Sequence, residues 1–261
     1  MSNDVLDRGT GPVIVFLHNA ATDYGLWKHQ IEEFAPAYRV IAPNLPGHGT
    51  VPSADTVAAM ADHIETDLHR RGVREFALVG LCLGGMVAVE LASRPTNTVT
   101  SLTLIETLPR ETDGRWALRL GERLFSLAGG IPPWFADLLS ARRVSANSAA
   151  ARQFKRDALR RMTPQSTLAV VRAVLNYNGS AVLRRLQIPT LFLVGEHNRS
   201  RHEAALHLAE HLEAAEVVMI PRSGQLVALE APTMVNNALR QFWHRAARPT
   251  PLHHRLRPTA P

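Results

Sequence analysis

Gly80-Leu81-Cys82-Leu83-Gly84-Gly85 directly follows the apolar run 76–81 and leads into the helical pattern 86–94. A strand, a glycine-flanked turn and a helix, in that order, are the setting in which a nucleophile is held on a sharp bend at a strand's carboxyl end. The glycines let the chain turn and leave room for a strained central residue. That residue is Cys82, the only cysteine of the chain. A thiol beside a helix N-terminus is biased towards thiolate, because the first N–H groups of a helix have no internal acceptor. Two readings of Cys82 stand side by side: a reactive thiol, or a small buried residue in an inert bend.

Outward from this turn, strand and helix signals alternate. Short runs rich in β-branched residues mark strands at 13–17, 39–43, 76–81, 101–106, 190–195 and 216–220. Helical patterns lie at 25–34, 56–71, 86–94, 202–212 and 232–245. Strands separated by helices imply an α/β class with a mostly parallel sheet covered on both faces. Residues 109–183 break the rhythm with several helical stretches, Gly–Pro interruptions and no strand. They read as a helical cap inserted between two core portions, 1–108 and 184–247. The Pro-, Arg- and His-rich tail 248–261 has too little apolar content to pack and reads as disordered.

With 261 residues and 46% hydrophobic composition, the chain has material for one substantial core. No apolar run is long enough for a membrane helix, and the first residues lack a signal-peptide pattern. A cytoplasmic protein is the expectation, and the glycosylation-like triplets at Asn178 and Asn198 carry no weight in that setting. The net charge of +6 is almost all arginine, lysine occurring only at 28 and 155. Much of it alternates with apolar residues along helical segments, as on solvated faces, so neither nucleic acid nor membrane is expected as a partner. A lone cysteine excludes an internal disulfide. Twelve histidines, His253 and His254 among them, show no spacing that argues for a metal site, so neither metal nor cofactor is expected.

Five motifs in register now carry a resemblance. His18-Asn19-Ala20 follows the first predicted strand, and Ala42-Pro43-Asn44-Leu45-Pro46-Gly47-His48-Gly49 follows the second. The Cys82 turn comes next, then Gly195-Glu196-His197-Asn198, then Ser223-Gly224-Gln225 running on to Pro232. From about Gly9 to Trp243 the chain resembles the α/β-hydrolase superfamily in its cap-bearing form. The resemblance puts Cys82 at the nucleophile position, Asn198 at the acid and Gln225 at the base. It places the oxyanion hole at the backbone N–H groups of Leu83 and Ala20, with Asn19 as a further donor. It also implies that the family's first strand is missing, the chain starting late.

The chemistry departs from that pattern. A serine triad needs an imidazole to take the hydroxyl proton and a carboxylate to orient it. Glutamine has no proton affinity near neutrality, so this Cys/Asn/Gln set is degenerate for ordinary triad hydrolysis. His18 and His48 belong to motifs where the family's histidines are structural, and His197 adjoins the acid position. Glu106, at its strand end, is the remaining carboxylate, and some relatives, including certain haloalkane dehalogenases, draw their acid from that place. Trp116, Phe125, Trp134, Phe135 and Tyr177 are candidate pocket lining in the cap.

Three functions follow. The first is a lyase- or cyclase-like enzyme that binds a small carbonyl compound (an ester, lactone or biosynthetic intermediate) and promotes elimination or cyclisation without hydrolysis. The second is a cysteine-dependent hydrolase or acyltransferase, by analogy with the cysteine elbow of dienelactone hydrolases. The third is a catalytically silent ligand-binding protein. The partner expected is a small molecule, and nothing in the sequence indicates an oligomeric state.

Overall fold

A computed structural model describes residues 4–108, 115–127, 129–131 and 148–247. Its strands are β1 (Val5–Arg8), β2 (Val13–Leu17), β3 (Arg39–Pro43), β4 (Glu75–Leu81), β5 (Thr98–Ile105), β6 (Thr190–Gly195) and β7 (Ala215–Ile220). They form one sheet in the order β1-β3-β2-β4-β5-β6-β7. All neighbours run parallel except β1, which lies antiparallel along β3.

The order reverses at β2. The chain passes from β2 outward to β3, then returns to place β4 on the other side of β2. Connections that leave in opposite directions open a crevice at the strands' carboxyl ends, between β2 and β4. The loop 18–22 and the turn at Cys82 both begin there.

The described helices are α1 (Lys28–Phe34), α2 (Val57–Arg70), α3 (Leu83–Ala92), α4 (Arg115–Leu127), α5 (Ala149–Arg160), α6 (Pro164–Asn176), α7 (Ser180–Leu183), α8 (Arg199–Ala209), α9 (Val227–Glu230) and α10 (Pro232–Ala246). A 3-10 turn, Tyr24–Trp27, precedes α1. One apolar cluster packs α2 and α3 on the sheet through Met60, Ile64, Leu68, Phe76, Val87 and Leu104. The other packs α1 and α10 on the opposite face through Phe16, Trp27, Phe34, Leu191, Leu239 and Phe242. Burial of each such side chain stabilises the fold by about 1.5–3 kcal/mol. Covered on both faces, the central strands read as near-continuous apolar runs, as β6 does in being buried throughout.

The sequence reading places no strand ahead of Val13, and the structure has one. β1 is four residues long, too short for periodicity, and is held by its ladder to β3 and by the Asp7–Arg39 ion pair. α8 starts and ends three residues before the stretch read for it, because Asn198 stands at its N-cap. Between β5 and β6 the described residues hold helices α4 to α7 and no strand. Trp134, Phe135 and the tail 248–261 lie outside the described residues, as does the side chain of Trp116. α5 and α6 lie over the loops at the carboxyl ends: Arg161 pairs with Asp23, Phe154 approaches Gly25, and Val170 approaches Gly47. No helix of the described residues is long and apolar enough to cross a membrane.

Candidate active site

Cys82 sits between β4 and α3 with φ 50° and ψ −105°. A non-glycine residue there carries roughly 1–3 kcal/mol of backbone strain, tolerated only where the surroundings over-determine it. Here the Cys82 N–H donates to Ile105 O at 2.9 Å, and the Cys82 carbonyl accepts from Met86 N at 3.0 Å. The close packing needs the flanking glycines. A Cβ at Gly80 would overlap the Gly84 backbone, and one at Gly84 would overlap the Leu17 carbonyl. That second approach brings the loop 18–22 down onto the start of α3. The N–H of Leu83, the first residue of α3, has no acceptor within the helix.

Two imidazoles lock that loop. His18 Nε2 accepts the Leu45 N–H at 2.9 Å, so Nδ1 carries the proton and donates to Asn19 O at 2.8 Å. His48 Nε2 accepts the Ala21 N–H at 3.0 Å, and its Nδ1 faces the Leu45 and Pro46 carbonyls at 3.3 Å. Burial pushes His18 well below the usual histidine range and His48 down to about 4. Both rings are neutral and committed at both nitrogens. The structure therefore gives His18 a positioning place behind the loop, while half-buried Ala20 and buried Asn19 stand on it.

Gln225 comes from the loop after β7. Its Nε2 donates to Cys82 Sγ at 3.5 Å, joining two side chains 143 residues apart. The loop is pinned by Gly224 N donating to Glu230 at 2.6 Å and Arg222 N donating to Glu196 at 2.8 Å. Gln225 Oε1 and Asn19 Oδ1 are buried carbonyl oxygens with no hydrogen-bond partner among the described residues. Two unsatisfied acceptors, one on the residue that touches the thiol, suit a ligand that brings hydroxyl or N–H donors.

Asn198 is not an idle remnant. Its Nδ2 donates to Glu106 Oε2 at 2.7 Å, and Gly195 N donates to Glu106 Oε1 at 2.5 Å. Arg201 approaches the same carboxylate at 3.7 Å and donates to the Glu106 carbonyl at 2.6 Å. Glu106 is fully buried, with φ 48°. Burial pushes its carboxyl up to about 7 against the pull of Arg201, Gly195 and Asn198. An aspartate at 198 would set two carboxylates together, so the amide at the acid position is matched to the carboxylate at the β5 end. That pairing was not read from the sequence, because the two residues are 92 positions apart.

His197 is exposed, its backbone N–H donating to Ser223 O at 3.1 Å. The structure thus brings Cys82, Gln225 and the loop 18–22 together, and sets Glu106 with Asn198 in a second group. Trp134 lies outside the described residues. One histidine cluster on the surface goes beyond the sequence reading. His207, Glu210 and His211 share one exposed face with their ligand atoms within 4.8 Å, and the H-x-x-E-H spacing was the signal.

Residues 14–238 match the model of the alpha/beta hydrolase family. The chain belongs to that family. Among curated relatives, this alpha/beta hydrolase is 27% identical over 236 residues to pimeloyl-[acyl-carrier protein] methyl ester esterase of Nitrosomonas europaea, covering 86% of this chain and 92% of that protein. It is 28% identical to the same-named esterase of Chromobacterium violaceum, covering 82% and 87%. Among solved structures it is similar to a thermophilic esterase from Thermogutta terrifontis, with TM-score 0.83, 26% identity and coverage of 94% and 93%. MenH from S. aureus, at TM-score 0.81, 19% identity and coverage of 94% and 100%, shares the fold.

Proposed function

We propose that this alpha/beta hydrolase is an enzyme acting on a small carbonyl compound without hydrolysing it, by elimination or cyclisation. One observation carries the reading: the side chain that the loop after β7 sets 3.5 Å from Cys82 Sγ is an amide, where triad hydrolysis needs a proton acceptor. The imidazoles of the nearby loops are spent on backbone groups. The oxyanion hole depends on backbone N–H groups of Leu83 and Ala20, which survive any side-chain change, and these can still polarise a carbonyl. Chemistry whose proton acceptor belongs to the substrate, such as the group expelled in an elimination or the oxygen consumed in ring closure, needs no imidazole. Without an imidazole at position 225 to activate water, a reactive intermediate is also protected from hydrolysis. Gln225 Oε1 and Asn19 Oδ1 favour a substrate bearing hydroxyl or N–H donors.

A second reading is acyl transfer through Cys82, favoured by the retained strain at φ 50° and by an N–H donor aimed at its sulfur. The relatives named for methyl ester hydrolysis support an ester or related carbonyl as the substrate class. Intact-mass analysis after incubation with activated esters and alkyl thioesters separates the readings. The first expects an unmodified chain and intact ester. A lasting adduct that disappears in Cys82→Ala supports acyl transfer instead. Free acid released over many turnovers by the parent protein would overturn both.

A further inference from the structure

Away from Cys82, the C-terminal end of α8 gathers a second set of chemistry-bearing groups. His207 lies in the last turn, Glu210 is the C-cap and His211 follows it. All three are exposed, and their ligand atoms lie within 4.8 Å of one another. His207 Nδ1 is 3.5 Å from Glu210 Oε2, and the two imidazoles meet edge to face with centroids 4.9 Å apart. His211 Nδ1 donates to the His207 carbonyl at 2.8 Å, which leaves Nε2 as the atom with the free lone pair. A ring nitrogen tied to a backbone carbonyl, with the other one bare, is the arrangement that orients a metal-binding histidine.

We propose that His207, Glu210 and His211 form a surface site for a borderline divalent transition metal, Zn2+, Ni2+ or Cu2+. Two imidazoles and one carboxylate are the donor set these ions prefer, whereas Mg2+ and Ca2+ take oxygen ligands. Donor atoms on a tetrahedral ion lie roughly 3.4 Å apart, a closure that exposed side chains reach by small rotations. The place also suits a cation for a separate reason. The last carbonyls of a helix have no internal partner and carry partial negative charge. Three protein ligands leave at least one position for water, so binding is reversible. The ion clips the last turn of the helix whose first residues present Arg201 to Glu106.

The test is calorimetric titration of chelator-stripped full-length protein with ZnCl2, and separately with MgCl2. It is run on the parent, on H207A/H211A, and on H253A/H254A as a control for the tail histidines. The expected result is one equivalent of Zn2+ on the parent and on H253A/H254A, weakened more than about tenfold in H207A/H211A, with no Mg2+ heat. Thermal unfolding followed by circular dichroism should show a Zn2+-dependent rise in Tm in the same two proteins alone. Unchanged Zn2+ binding in H207A/H211A, loss of binding in H253A/H254A instead, or no binding to the parent would each overturn the proposal.

Discussion

Replacing Glu106 by glutamine keeps the shape of the buried group and removes its titration. Burial holds the Glu106 carboxyl at about 7 in the folded protein, against the ordinary 4.5 it regains on unfolding. Between those values the folded state binds the extra proton, so stability falls as pH rises. The contribution is fully present below pH 4.5 and lost as pH passes through 7. A gap of about 2.5 pKa units corresponds to about 3 kcal/mol. The substitution also sets an amide NH2 against the Gly195 N–H or the Asn198 NH2, but that offset does not vary with pH. Urea unfolding of parent and Glu106→Gln from pH 4.5 to 8 isolates the carboxyl, since every other group cancels in the difference. The stability advantage of the parent should shrink by about 3 kcal/mol over that span, roughly 1 M in urea midpoint. A difference flat in pH would refute the reasoning. One that grows with pH would show that Arg201, Gly195 and Asn198 hold the carboxylate below its ordinary range.

The remaining predictions concern the groups around it. Asn198→Asp should place a second carboxylate against Glu106 and lower Tm by about 5–10 °C, with Glu106→Gln in the same chain recovering most of the loss. Equal Tm values for Asn198→Asp and the parent would contradict the pairing. His48, held near 4 by burial, gives stability that is present above pH 6.5 and lost as pH falls towards 4. The advantage of the parent over His48→Gln in urea unfolding should therefore shrink by about 3 kcal/mol from pH 6.5 to 4.

Much of this molecule was legible in the sequence. Parallel strands buried on both faces leave unbroken apolar runs, which is why 13–17, 39–43 and 190–195 were read with their observed bounds. Backbone constraints leave marks too, and Gly80 and Gly84 announce the bend at Cys82 because no Cβ fits there. What stayed hidden depends on contacts across the fold. β1 exists through its pairing with β3. The resemblance puts Asn198 at the acid position, but its bond to Glu106 is made across the fold, and nothing local to either residue signals it. The structural roles that the family motifs implied for His18 and His48 are carried out by backbone N–H groups reaching their Nε2 atoms.

The central claim is that hydrolysis is limited by the missing base at position 225. Steady-state release of p-nitrophenol from p-nitrophenyl acetate, by the parent and by Gln225→His, tests it most directly. The account predicts no turnover by the parent above the rate of Cys82→Ala, and a gain of at least about 100-fold in Gln225→His. Sustained turnover by the parent that vanishes in Cys82→Ala and does not rise in Gln225→His would contradict it.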